Sequence, residues 1–283
     1  MTDMDAVPEK RRKRSDSTGD HFDDRQTEAE LLKCFDKYDM THKKRGVAYI
    51  FNNETFRHSE LTCGGSSKDA QDFKMALIRL GLQEEDIHIN TDLSTEEMIG
   101  VLQRFGKDNT DIDSDCFICA ILSYSNSEGL IYGYDDKTEL EKLLSYLRPD
   151  RCPCLKGIPK LFFIQACRGS KMDCGVEQND VASYGFEKTS SKIPIMADML
   201  VAYSSCDKYP SFGNEEGGSW FMQTLSKMLT YYGTEHEIMT LLTAVSKYVA
   251  SLGSRIPDNS AYNEYKQMPH ITSTLTKQLK FEP

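Results

Sequence analysis

Residues 155–169 read LKGIPKLFFIQACRG, an apolar run that leads directly into a cysteine. The run at 161–165 is apolar at its first four positions, which is typical of a strand that is buried on both faces. Cys167 lies just past its end, where folds commonly hold their active-site residues. The stretch therefore predicts a buried strand that carries a candidate nucleophile at its end.

Short apolar runs and amphipathic helices alternate on both sides of this strand. Three further runs predict strands at 47–51, 116–122 and 199–203. Apolar residues at i, i+3, i+4 and i+7 predict helices around 73–80, 98–105 and 140–147, and two more helical segments follow at about 219–232 and 236–252. Ser94 and Glu97 form a capping box before the second helix. This alternation predicts an α/β protein with a parallel sheet covered by helices.

The composition is that of a folded soluble protein. The chain has 283 residues, of which 39% are hydrophobic, enough to fill a sizeable core. Its net charge of −10 argues against a general polyanion-binding surface, so we expect no nucleic-acid partner. No apolar stretch approaches the roughly 18 to 20 residues of a membrane helix, and the polar start offers no secretory signal. We therefore expect a cytoplasmic protein with no membrane partner.

The nine cysteines are expected to be free thiols, because their number is odd and no export signal precedes them. Cys116 and Cys119 form a CxxC motif, but no second cysteine or histidine pair lies close to it, so we expect no metal site. Cys152 and Cys154 flank a proline at a predicted turn and are interpreted as structural. No motif indicates a cofactor.

Two polar segments and one terminal strand complete the organisation. Residues 1–35 are predicted to be a flexible extension, and 173–192 to be a loop or linker. Residues 269–281 predict a terminal strand, in which Ile271, Leu275 and Leu279 share one face with Phe281. A strand this late in the chain is often an edge that is open to pairing with another chain.

The motif QACRG at 165–169 resembles the nucleophile signature of the caspases, cysteine endopeptidases that cut after aspartate. The blocks at 42–56, 155–169, 218–225 and 269–279 are also similar to caspase blocks and stand in the caspase order. The resemblance is to the short-prodomain executioner type. It implies a six-stranded, mainly parallel sheet with helices on both faces, and dimerisation through a strand like 269–279. It also implies a large-subunit segment at 36–172 and a small-subunit segment at 193–283, joined by the linker at 173–192, where Asp180 is the expected processing site.

Caspase chemistry needs a thiolate, a histidine and an oxyanion site, and the resemblance locates a substitution at the histidine. The histidine is expected about 50 residues before the cysteine, yet the nearest one upstream of Cys167 is His88, 79 residues away. Where the family has Ser-His-Gly, this chain has Ser123, Tyr124 and Ser125. Tyr124 thus occupies the histidine position and Ser125 the position of the oxyanion-loop glycine. A phenol is a weak general base at neutral pH, so Cys167 lacks its usual partner.

The resemblance also locates substitutions in the aspartate-binding residues, which in the family are two arginines and a glutamine. Gln165 is retained, but Cys63 and Gly213 occupy the two arginine positions. Arg57 is the nearest replacement, and it would need a gap in the alignment. Each lost charge-assisted hydrogen bond to a carboxylate removes about 1.5–3 kcal/mol, so selectivity for aspartate should collapse.

Two functions from different classes follow. The first is a catalytically deficient caspase homologue that modulates an active caspase paralogue or a caspase regulator, as a homodimer, a heterodimer or a decoy. The second is a working cysteine endopeptidase of altered specificity, in which a displaced base such as His58 serves Cys167.

Overall fold

The computed structural model describes residues 31–57, 62–108, 112–126, 129–166, 196–206, 211–214, 216–253 and 265–282. Contacts divide the chain into two units, residues 1–35 and residues 36–283. Cys167, His58, Asp180 and the predicted linker at 173–192 lie outside the described residues. The predictions made for them, and for the two subunit segments, therefore stay predictions.

A six-stranded sheet forms the centre of the second unit, in the spatial order β10-β7-β6-β3-β1-β2. Five strands are parallel, and β10 joins β7 in antiparallel orientation at one edge. Two short hairpins, β4–β5 and β8–β9, lie outside this sheet. The strands are β1 (Val47–Asn52), β2 (Ile87–Thr91), β3 (Phe117–Leu122), β4 (Leu130–Tyr132), β5 (Lys137–Glu139), β6 (Lys160–Gln165), β7 (Met199–Tyr203), β8 (Gly213–Asn214), β9 (Gly218–Ser219) and β10 (His270–Ser273).

Helices cover both faces of the sheet because successive side chains of each strand point to opposite sides. In β6, Leu161 and Phe163 join the core beneath α1, α4 and α5, whereas Phe162 and Ile164 join the core beneath α2 and α3. We call these sides the α1 face and the α2 face. The helices are α1 (Ser66–Arg79), α2 (Thr95–Asp108), α3 (Leu140–Ser145), α4 (Trp220–Tyr232) and α5 (Ile238–Ser251).

This architecture confirms the predicted fold, a mainly parallel six-stranded sheet with helices on both faces. The capping box before α2 forms: the Ser94 backbone N–H donates to Glu97 Oε2 at 2.8 Å, and the Glu97 N–H donates to Ser94 Oγ at 3.2 Å. Strand β2 was not predicted, because its sequence IHINT contains only two apolar residues. Helix α3 is shorter than its apolar pattern, since Leu147 is fully buried two residues beyond the helix end.

The prediction of one long terminal strand was wrong. Strand β10 ends at Ser273, because Thr274 uses its backbone and hydroxyl to bond Met199 and neighbouring residues instead of continuing a regular ladder. Ile271 and Leu275 pack against the core of the α1 face, and Leu279 is buried completely within it. The three side chains do share one face, but that face is turned towards the protein's own interior and is not presented to a partner.

The two ends of the second unit are joined by hydrogen bonds. The Tyr38 N–H donates to the Gln278 carbonyl at 3.0 Å, and the Gln278 N–H donates to the Asp36 carbonyl at 2.8 Å. The buried Asp198 carboxylate strengthens this junction, because its Oδ1 accepts from the Tyr38 hydroxyl at 2.7 Å and from Thr276 Oγ1 at 2.6 Å. The chain end is thus tied to the segment that precedes β1.

Candidate functional site

A cavity of about 280 Å³ opens beside the carboxyl ends of β3 and β6, the usual place for a ligand in an open parallel sheet. The loop before α1 and the β8–β9 hairpin form its other walls. Four positions chosen from the sequence line it together, namely Cys63, Tyr124, Gln165 and Gly213. Residues that are more than 100 positions apart in the chain therefore meet at one site.

Strand register sets the position of Tyr124 relative to Gln165. Leu122 is paired with Gln165 in the β3–β6 ladder, and the Ser123 N–H donates to the Gln165 carbonyl at 3.0 Å. Tyr124 is then held by the following hairpin, where its carbonyl accepts from the Tyr132 N–H at 3.0 Å and its ring meets the Tyr132 ring edge-on. The phenol thus stands at the end of β3, where the resemblance places the catalytic histidine.

The Gln165 amide spans the floor of the cavity. Its Nε2 donates to Ser211 Oγ at 3.1 Å. Its Oε1 is buried and has no hydrogen-bond partner within the described part of the chain. The Ser66 hydroxyl, also buried against the cavity, is without a partner in that same part. Two unsatisfied polar atoms therefore lie in the wall of the cavity, beneath its accessible surface.

The described lining of the cavity differs in charge from the aspartate-binding site that the resemblance implies. Among the described residues that line it, none is an arginine, lysine or histidine. Its carboxylate is Asp69, 2% exposed, in the first turn of α1. This carboxylate accepts from the Ser219 N–H at 3.0 Å and from Gln223 Nε2 at 3.0 Å, and burial raises its pKa. Among these described residues, an incoming aspartate would find no cation with which to pair, and a buried acid lies close by.

Gly213 is packed too closely for a side chain in this conformation. A Cβ atom at Gly213 would lie 2.7 Å from the Ser219 Cα and 2.8 Å from the Gly218 carbonyl oxygen, within the same hairpin. Gly218 is similarly restricted, because its φ is +79° and an added Cβ would collide with Asp69 Oδ1. The hairpin backbone thus occupies space that a longer side chain at position 213 would need.

Two other predicted positions lie elsewhere. Ser125 is buried, pairs with Ile131 in a bridge, and lines a neighbouring cavity of about 260 Å³ together with Ala166. Arg57, the candidate replacement arginine, is exposed and does not line the 280 Å³ cavity; its N–H donates to the Tyr134 carbonyl. The expectation that Arg57 could substitute for a lost clamp is therefore not supported by its position.

Sequence reasoning missed the role of Asp69, which joins α1 to the β8–β9 hairpin across 150 residues of chain. An acid in the first turn of a predicted helix usually interacts with the helix dipole at the surface, so its burial was not indicated. Its hydrogen bond to Ser219 is what closes this side of the cavity. The sequence signal for this contact was the glycine pair Gly217 and Gly218, because the absence of a side chain at Gly218 lets the Asp69 carboxylate approach the hairpin backbone closely.

The CxxC pair does not form a joint site. Cys116 belongs to the core of the α1 face and Cys119 to that of the α2 face, so the sheet separates them. Burial raises the pKa of both thiols. In the described ranges, no three histidine, cysteine or acidic side chains converge in a way that could hold a metal ion. Nor does any helix described here have the length and apolarity needed to cross a membrane.

Comparisons with known proteins agree on one family. A family model, the caspase domain, matches residues 45–280. Caspase-1 of Spodoptera frugiperda is 39% identical over 246 residues, which cover 86% of this chain and 81% of that protein. Caspase-3 of Mesocricetus auratus is 38% identical over 86% of both chains. The crystal structure of the Spodoptera caspase-1 superposes with a TM-score of 0.77, covering 87% of this chain and 95% of that one.

Proposed function

Because this chain belongs to the caspase family, we propose that it regulates an active caspase, or a caspase regulator, in the apoptotic pathway. It acts by dimerisation or as a decoy in the cytoplasm, and it does not carry out ordinary cleavage after aspartate. The scaffold is that of a cysteine protease. The residues at the histidine and arginine positions are not suited to cleavage after aspartate, which leaves binding to another protein as the proposed role.

The cavity carries this proposal. It keeps the shape of a side-chain pocket at the end of the sheet, yet its lining offers a phenol, a thiol and a buried carboxylate where the chemistry needs a base and two cations. A carboxylate that enters the cavity would lose its hydrating water without forming an ion pair with the described lining residues. Burying such an unpaired charge costs free energy. Binding of an aspartate side chain is therefore opposed at a site whose described lining offers no histidine as a general base.

The test is a peptidase assay on the purified full chain with peptide substrates that place aspartate at the cleaved bond. An executioner caspase assayed in parallel sets the scale. Since a missing general base alone removes about 10²–10⁴-fold, we expect turnover at least about 100-fold lower than that scale. Turnover within tenfold of the reference, abolished by Cys167→Ala, would contradict the proposal. Tyr124→His alone should not restore activity, because the pocket stays without its cations.

A second candidate, a cysteine endopeptidase of altered specificity, is favoured by one observation. The cavity has not filled in: it retains about 280 Å³ and two unsatisfied polar groups, Gln165 Oε1 and Ser66 Oγ. Both atoms are buried in this conformation, so a substrate would reach them only after a local movement of the wall; an uncharged side chain that donates a hydrogen bond, such as an amide, would then satisfy them. A library of peptides varied at the cleaved residue, combined with a thiol-directed active-site probe, decides between the candidates; cleavage after asparagine or glutamine that requires Cys167 would favour the second.

Processing at Asp180 is part of the proposal, because this acid lies in a polar segment where the family is cut. Incubation with an active executioner caspase should yield two fragments, and terminal sequencing should place the cut after Asp180. Unchanged mass, or a cut that persists in Asp180→Ala, would contradict it.

A further inference from the structure

Two cysteines that the proposed function does not use lie together at the opposite end of β6 from the cavity. Cys152 Sγ and Cys154 Sγ are 3.2 Å apart, on either side of Pro153. Both are free thiols; Cys152 is fully buried and Cys154 is half-buried. We propose that Cys152 and Cys154 form a redox-active dithiol, which a hydroperoxide converts reversibly into an intramolecular disulfide.

The backbone holds the two sulfurs together. Pro153 begins a 3-10 turn, Pro153–Leu155, and its ring fixes φ at this position. The Cys152 N–H donates to the Arg148 carbonyl at 2.7 Å, and the Leu155 N–H donates to the Cys152 carbonyl at 3.1 Å. Two residues span at most about 7 Å, so the Cα separation is within reach of a disulfide. Closure therefore needs a small approach of the sulfurs and no rearrangement of the fold.

The environment assigns different roles to the two thiols. Cys152 can donate its S–H to the Cys154 sulfur, and this hydrogen bond lowers the pKa of Cys154 while it raises the pKa of Cys152. Cys154 is also the more exposed of the two, so an oxidant in solution reaches it first. Cys152 is packed under α2, where a Cβ at Gly106 would lie 3.3 Å from its sulfur. Cys154 is thus the attacking thiol, and Cys152 the resolving thiol.

The reaction balances with a hydroperoxide as the oxidant. The Cys154 thiol releases its proton, the thiolate attacks the terminal peroxide oxygen, and the O–O bond breaks. Cys154 becomes a sulfenic acid, and the leaving hydroxide or alkoxide takes up a proton and departs as water or an alcohol. The Cys152 sulfur then attacks the Cys154 sulfur; the S–O bond breaks, and water leaves with the Cys152 proton. Two thiols are oxidised by two electrons and one hydroperoxide is reduced. Because Cys154 is half-buried and not fully enclosed, a small thiol reductant can exchange with this disulfide and return it to the dithiol.

Peptide mapping of the full chain tests this directly. The native protein is treated with hydrogen peroxide, the peroxide is removed with catalase, and the protein is then unfolded, alkylated with N-ethylmaleimide and digested with trypsin. The tryptic peptide 152–156 contains both thiols and no other cysteine. After peroxide treatment we expect this peptide to carry no N-ethylmaleimide and to weigh two hydrogens less than the dithiol form. If dithiothreitol is added before alkylation, both cysteines should again be alkylated.

Three controls make the result decisive. In Cys154→Ser, the remaining Cys152 should be alkylated with or without peroxide, whereas Cys34→Ser should leave the disulfide yield unchanged. Oxidation should shift the melting temperature of the wild type and leave that of Cys154→Ser where it was. A peptide that stays doubly alkylated, over-oxidation of Cys154 with Cys152 still alkylated, or a disulfide that joins either thiol to another cysteine would overturn the proposal. None of these readouts depends on peptidase or partner-binding activity.

Discussion

Lys160 is fully buried at the first position of β6, next to this dithiol. Its Nζ donates to the carbonyl oxygens of Leu155 at 3.2 Å and Ile158 at 2.8 Å. Burial lowers the pKa of this amine from 10.5 to about 8, although Asp198 and Cys152 oppose the shift. The folded protein therefore holds the proton of Lys160 less tightly than the unfolded chain does.

The sign of the pH dependence follows from this difference. Between about pH 8 and 10.5 the unfolded chain binds more protons at Lys160 than the native state, so the cost of burying the charge is relieved as pH rises. We expect the free energy of unfolding of the wild type, minus that of Lys160→Met, to increase by about 3 kcal/mol across this window. Urea titrations of both proteins at several pH values, with reductant present, measure it; subtracting the variant removes the contribution of the other thiols and tyrosines. A constant difference would show that Lys160 titrates normally.

The positions of site residues could be predicted from sequence where they are tied to local spacing. Gln165 ends β6 and Tyr124 lies two residues beyond the end of the paired strand β3, so their motifs located them at one edge of the sheet. Asp69 was beyond such reasoning, because its burial depends on Ser219 and Gln223, which are at least 150 positions away. Ser125, assigned to the position of the oxyanion-loop glycine, lines the neighbouring cavity and pairs with Ile131, a contact that its motif did not indicate; its assignment stays a prediction.

At the level of elements, the β8–β9 hairpin should resist any side chain at position 213. We expect Gly213→Ala to lower the free energy of unfolding by about 1–3 kcal/mol, because the added Cβ must displace backbone atoms of Gly218 and Ser219. Gly100→Ala is the matched control: its Cβ would meet only the Arg104 side chain, and alanine favours the α2 helix by about 1 kcal/mol. Denaturant unfolding of both variants measures the contrast. Equal effects would mean that the hairpin opens freely.

Strand β10 is the element through which association should occur. The Thr274 N–H still donates to the Met199 carbonyl of β7, as the next position of the ladder would, although the Thr274 carbonyl accepts from Asp198 before that strand. Alternation therefore directs the backbone groups of Ile271 and Ser273 away from the sheet. Thr272 is exposed on this strand, and a lysine there would face its own copy, or a partner strand, across the new ladder.

We therefore expect Thr272→Lys to weaken self-association or caspase binding at least tenfold, with the melting temperature nearly unchanged. Ala244→Lys, which adds the same charge on the exposed side of α5, should have no effect. Analytical ultracentrifugation and co-purification with a partner caspase report the two affinities. Charges at Ile271 or Leu275 are unsuitable probes, because both side chains pack on the core and their loss would unfold the edge. Equal binding by Thr272→Lys and wild type would place the interface elsewhere.

For the whole molecule, regulation of a partner should not depend on the nucleophile. The proposed association uses the edge of the sheet, whereas the described lining of the cavity contains no histidine, arginine or lysine that could assist Cys167. Cys167→Ala should therefore change a partner caspase's activity to the same extent as the wild type does, in an assay that mixes the two purified proteins. An effect that disappears with Cys167→Ala would favour the endopeptidase alternative.

Fold class was predictable as a whole because four buried strands and their amphipathic helices carry strong periodic signals. The two edge strands were not predictable. β2 contains only two apolar residues, and the end of β10 is determined by the hydrogen bonds that Thr274 makes with residues 196–199, which are distant in sequence.

The junction between Asp36, Tyr38 and Gln278 also bears on how the gene could be rearranged. Because the two ends of the compact unit are already hydrogen-bonded to each other, its two halves could be joined in the opposite order along the chain without changing the fold. A circular permutant that begins near residue 193, runs to residue 282, and continues through a short glycine–serine linker into residue 36 should build the same six-stranded sheet. In such a protein the new termini lie at the segment 173–192, where we propose processing, so that this segment is open without any cleavage. The two halves stay covalently joined through the glycine–serine linker.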